Sequence, residues 1–180
     1  VRLSSRSTVA TLVERLNYDE ASSLRGQIHQ HTNPSGVIRD TAIQRVIMSS
    51  LSDGVLREFY REEGGLEKCF QLVSDYFAAV QRVFHADWHE HTPKTSRLVH
   101  GCGIVSMGYV MEYLHTTSGV TTTTQFAKGL SPIRERVAWT SGYWNFGENN
   151  QRPWNSLQNL SKDYRELSRY LLHILNHQLL

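Results

Sequence analysis

Cysteine, proline and long apolar runs are all scarce in this chain of 180 residues. There are two cysteines, Cys69 and Cys102, both in apolar stretches. An extracellular disulfide framework uses more cysteines at regular spacing, so two buried thiols in a cytoplasmic protein is the expectation. No run of 18 uncharged apolar residues exists, so the sequence offers no transmembrane helix and no membrane partner. Arg2 and Arg6 near the start are not followed by an apolar stretch, which is not a secretory pattern. The first residue is Val1 rather than Met, so we expect a piece of a longer protein. No phosphate-cradling glycine loop of the Walker type occurs.

A chain this long can bury roughly 70% of its unfolded surface and needs no disulfide or metal to fold. Hydrophobic residues make up 39% and aromatic residues 10%, which suits a globular core and argues against disorder. The net charge of +2 is too small to imply nucleic acid. Its distribution says slightly more. Residues 1–61 hold eight basic and six acidic side chains, residues 62–120 four and seven, and residues 121–180 seven and four. The ends are mildly basic around an acidic middle.

Apolar residues recur at helical spacing through most of the chain. Val9, Leu12, Val13 and Leu16 form one stripe, and Ile43, Val46, Ile47 and Leu51 another, with Asp40 as its expected N-cap. Cys69, Phe70, Val73, Phe77 and Val80 mark the clearest amphipathic helix. Gly101 to His115 is apolar on nearly every side, the pattern of a helix buried inside a bundle. Phe126, Leu130, Ile133 and Val137 continue the spacing, with Pro132 to limit or bend that helix. Leu160, Tyr164, Leu167, Leu171, Ile174 and Leu175 give the buried face of a C-terminal helix over 160–178, with Ser161 as cap. Short strands are expected at most once or twice, one near Gln27 to His31. The sum is a mainly α chain: one helical domain over 1–180, an irregular bundle of six or seven helices.

Residues 139–156 differ in character, being rich in Trp, Gly and Asn. Such a loop can be locked onto the core by its indoles. It can also present Arg, amide and aromatic groups to phosphates and bases.

Other candidate chemistry is thin. His85, Asp87, His89 and His91 could offer metal ligands, since His-x-x-x-His puts two imidazoles on one helix face, but no second ligand pair lies nearby. On that basis a metal-dependent hydrolase is the third reading. Ser106, between Gly103 and Gly108, is one residue out of step with a nucleophile elbow, and no strand precedes it. Gly101 and Gly103 begin a dinucleotide fingerprint without its third glycine. Glu62, Glu63 and Glu67 read as a solvated face. No catalytic residue and no cofactor are therefore assigned.

The run from Arg152 through Pro153, Trp154, Asn155, Ser156, Leu157, Gln158 and Asn159, followed by Asp163 and a Leu-rich helix, resembles the C-terminal signature of the DGQHR-domain family. That family includes DndB-like proteins linked to DNA phosphorothioation. Ser23 to Ile28, Phe77 to Trp88, and Gly101 to Leu114 resemble further segments of it in the same order. The name-giving Asp-Gly-Gln-His-Arg motif, which in the family lies in an N-terminal ParB-like region, is absent here. The resemblance implies a non-catalytic C-terminal helical part of a bacterial protein. Its expected role is DNA binding or assembly with DNA-modification proteins, in modification, its regulation or phage defence. The expected contact residues are Arg134, Trp144, Arg152, Trp154, Asn155, Gln158 and Asn159, with the two arginines on phosphate and Trp144 stacked on a base. The alternative is a protein-interaction or homo-oligomerisation module that uses the same loop.

Overall fold

The computed structural model describes residues 3–178, with side chains described from Ser5 to His177. The first helix, α1 (Leu3–Tyr18), buries Val9, Leu12, Val13 and Leu16. Just before its end, the fully buried Asn17 reaches sideways. Its Nδ2 donates to the Ile28 carbonyl at 2.9 Å, and its Oδ1 accepts from the Ile28 N–H at 3.1 Å. This amide stands in for a missing strand and fixes β1 (Ile28–His29), which pairs in parallel with β2 (Ile38–Arg39). Gly36 lies between them. A Cβ there would fall 2.2 Å from the Ile28 carbonyl carbon, so only glycine allows the crossing.

Helix α2 (Asp40–Asp53) follows directly. Arg39, in extended conformation, holds the cap position, and Asp40 is the first helical residue rather than the cap. Gly54 breaks the chain before α3 (Val55–Arg61). The start of α3 is capped by side chains of other helices: Glu112, from far along the chain, accepts the Val55 N–H at 2.9 Å, and Ser50 Oγ of α2 accepts that of Leu56 at 3.1 Å. Helix α4 (Gly65–Val83) buries Cys69, Phe70, Val73, Phe77 and Val80, the expected amphipathic face, and Tyr76 with them. A four-residue turn, α5 (His85–Trp88), leads towards α6 (Gly101–Ser118).

As its all-round apolar pattern requires, α6 runs through the middle, packed on α2, α3, α7 and α8. Helix α7 (Thr123–Leu130) opens with a capping box between Thr122 and Gln125 and packs on α4. It stops before Pro132 in a 3₁₀ turn, Ser131–Ile133. The Trp-rich segment holds a hairpin of β3 (Tyr143–Asn145) and β4 (Gln151–Pro153), with Trp144 opposite Arg152. A 3₁₀ turn, Trp154–Ser156, then leads to α8 (Ser161–Gln178). Of its expected buried face, Tyr164, Leu167, Leu171, Ile174 and Leu175 are buried, whereas Leu160 precedes the helix and is 55% exposed.

The mainly α class holds. The described residues contain eight α-helices, counting the short α5, and four short strands in two two-stranded sheets. The buried apolar side chains form one continuous cluster that includes Trp139 and Trp144.

Candidate nucleic-acid interface

The alternation of β3 turns Tyr143 and Asn145 outward and Trp144 inward. Trp144 is 1% exposed, so the expected stacking of its ring on a base does not fit this fold. Its faces are already occupied. Trp139 meets it edge-on at 5.1 Å, Phe146 stacks at 5.9 Å and Tyr170 meets it edge-on at 5.9 Å. Its Nε1 donates to the Trp154 carbonyl at 3.4 Å.

Arg152 is likewise consumed inside the chain. Its Nη1 lies 2.7 Å from Asp163 Oδ1 and 3.6 Å from Glu166 Oε2, and its Nη2 donates to the Ser156 carbonyl. Asp163 is 1% exposed, and its other oxygen accepts the Gln158 N–H at 2.8 Å. Burial alone would raise its pKa, but Arg152 and the Gln158 N–H together hold it below the usual carboxylate value. The expected phosphate contact of Arg152 is thus replaced by an internal ion pair.

Trp154 is half-buried beneath Arg97, whose guanidinium lies 5.7 Å from the ring centre. Arg97 is itself buried and grips three carbonyls: Pro93 at 2.6 Å, Asn155 at 2.7 Å and Leu157 at 2.9 Å. The side chains of Arg134, Asn155, Gln158 and Asn159 are exposed. Asn159 Oδ1 accepts from the Tyr164 hydroxyl at 3.4 Å.

The available positive charge lies next door, on the outer face of α8. Lys162, Arg165 and Arg169 are exposed there at helical spacing, with His173 one turn further on. Arg165, Arg169 and His173 form a ridge shared by two grooves. One groove, of about 670 Å³, runs between α8 and the hairpin and adds Arg136, Phe146 and Asn150. The other, of about 910 Å³, runs between α8 and α6 and adds Arg45, Tyr109, Tyr113 and Tyr164. Arg45 sits 4.8 Å over the Tyr164 ring.

Among the described residues, no carboxylate comes within 4.0 Å of Arg45, Arg136, Lys162, Arg165 or Arg169. Glu166, the one acid among the described residues lining either groove, is held by Arg152 and by Asn150 at 2.9 Å. Sequence reasoning read α8 for its leucine face and passed over its opposite face. The spacing of Lys162, Arg165 and Arg169 was the available signal. Arg45 and Tyr109 come from α2 and α6, and only folding places them there.

The remaining candidates do not converge. Asp87 accepts from Thr140 Oγ1 at 3.2 Å, and His91 Nδ1 lies 3.0 Å from Thr95 Oγ1. Among the described residues, no group of three His, Cys, Asp or Glu side chains is arranged to hold a metal ion. Ser106 is fully buried within α6. Burial pushes the Cys69 thiol up to about 11 and the Cys102 thiol up to about 12. His100 caps α6, its Nδ1 accepting the Cys102 N–H at 3.1 Å. Burial, then Arg97 and Arg39, lower its pKa to about 4. No protein-family model, curated protein or solved structure matches the chain.

Proposed function

We propose that the chain is a non-catalytic helical module that binds nucleic acid across the outer face of α8. One observation carries the reading: Arg45, Arg136, Lys162, Arg165 and Arg169 surround two adjoining grooves with no carboxylate partner among the described residues. Unneutralised cations spaced along a groove suit a phosphate backbone, which releases its counterions on binding. Tyr109 is 40% exposed and, with Tyr113, offers ring faces on which unpaired bases can stack. DNA is the expected ligand, in keeping with the DGQHR-domain resemblance, and the setting would be a bacterial DNA-modification or defence assembly.

Anisotropy of labelled DNA, single-stranded and duplex, over a salt series tests the proposal. For four phosphate contacts, log affinity falls against log salt with a slope of about −3 to −4. No affinity at low salt, or affinity indifferent to salt, ends it. A second reading, a protein-interaction or oligomerisation module, draws on Tyr143 and Leu160, which are 69% and 55% exposed. Under that reading light scattering shows mass rising with concentration, and Tyr143→Ser abolishes the rise.

A further inference from the structure

We infer that His173 and His177, near the C-terminal end of α8, form a two-histidine site for a divalent transition-metal ion, copper(II) foremost. The residues are four apart on one helix, so their side chains share a face. Both are exposed. Their Nε2 atoms lie 3.0 Å apart, with ring centres 4.2 Å apart and ring planes at 83°.

That separation matches a chelate bite. Two imidazole nitrogens, each about 2.0–2.1 Å from one ion, stand about 2.8 Å apart at a right angle and about 3.4 Å apart at the tetrahedral angle. The observed 3.0 Å falls between these limits, so a small rotation of the exposed rings brings both nitrogens onto one ion. Without an ion, one Nε2 donates to the other, which requires one imidazole to carry its proton there. When an ion binds, that proton moves to Nδ1 of the same ring, so both imidazoles stay neutral and each offers its Nε2 lone pair to the ion.

Two features of α8 set the ligand class. The final turn of a helix carries the negative end of the backbone dipole, which favours a cation. Arg169, one turn before His173, opposes it. Two neutral nitrogens next to an opposing charge select ions with the greatest imidazole affinity, in the order copper above nickel and zinc. Water completes the coordination shell, since no third protein ligand stands with the pair among the described residues.

The other histidine pair makes a useful contrast. His85 and His89 also have ring centres 4.2 Å apart, but their planes are tilted by only 40°, nearer to face-to-face. His89 lies beyond the end of α5 in extended backbone. That pair is not pre-set for one ion.

His173 also lines both grooves, so a bound dication would extend the cationic ridge. That consequence rests on the proposed function, whereas the metal site does not. The test is titration of the full, untagged chain with copper chloride, read by calorimetry and by nitrogen hyperfine structure in the copper EPR spectrum. One site per chain with two coordinated nitrogens is expected, with nickel and zinc weaker. His173→Gln and His177→Gln should each weaken the site by roughly tenfold or more, the least expected when an inner ligand goes, given the cost of losing even an outer-shell partner. His89→Gln should leave it unchanged. Both positions are exposed, and far-UV circular dichroism confirms that each variant is folded. Equal copper binding by wild type and both α8 variants means adventitious binding elsewhere and overturns the site. So does a loss confined to His89→Gln.

Discussion

The hairpin at 143–153 and the outer face of α8 lie side by side, and they use similar residue types for opposite ends. In the hairpin, Trp144 and Arg152 sit opposite each other across the ladder, and both are satisfied internally. On α8, Arg165 and Arg169 have neither an acid nor an aromatic ring against them among the described residues. The lesson concerns partners. An unusual cluster of Trp and Arg attracts notice because it is rare, but its rarity here reflects the demands of locking a loop onto a helical bundle. The plainer arginines, spaced along an ordinary amphipathic helix, keep their charge available.

Variants on the two sides should therefore behave oppositely. The largest effect on stability is expected for Trp144→Ala, which empties a fully buried site between Trp139, Phe146 and Tyr170 and should cost about 3–5 kcal/mol. Urea unfolding measures it. Unchanged stability with lost DNA affinity would reverse the roles of the two regions. Arg152→Met leaves Asp163 buried without its charge partner and should cost about 3 kcal/mol, again in the denaturation midpoint.

Acid should reach the same layer through His100. Its folded pKa of about 4 lies below the ordinary 6.5, so the unfolded chain binds more protons between those values. Stability is complete above about pH 6.5 and falls as pH drops towards 4. The fall should be about 1–2 kcal/mol after discounting for the part of the ring that meets solvent. His100→Gln should flatten that limb of a pH series. The lowered pKa of Asp163 acts in a lower window, with its contribution lost as pH falls below about 4.

The smallest stability effect belongs to α8. Arg165→Gln with Arg169→Gln should shift unfolding by no more than about 0.5 kcal/mol for each exposed site. The same pair should reduce the salt slope of DNA binding by about 2. A large loss of stability would show that these arginines, too, belong to the scaffold.

Helical periodicity carried most of the architecture. The stripes around Leu12, Val46, Val73 and Leu171 became buried faces except at the partly buried Leu51 and the exposed Leu160, and the uniformly apolar segment after Gly101 became the central helix. The parallel pairing of β1 with β2 was not legible, because it depends on the Asn17 side chain and on the clearance at Gly36. The short α5 was not legible either, since a single turn leaves no periodic trace. Of the expected contact residues, Trp144 and Arg152 are held inside the fold, whereas Arg134, Asn155, Gln158 and Asn159 are exposed. Local sequence shows that an arginine is present, and only the fold shows whether an acid neutralises it. Asp163 lies 11 residues after Arg152 in the first turn of α8, and folding makes it the arginine's counterion.

The grip of Arg97 on the main chain has an outcome for proteolysis. Its three carbonyl contacts span residues 93, 155 and 157, so this one side chain bridges stretches about sixty residues apart. The exposed tip at Gly147–Asn150 lies between those anchors and bears no share of that clasp. A protease that nicks the tip should leave two fragments that co-elute on gel filtration as one particle, and Arg97→Ala should lower the urea concentration at which they part.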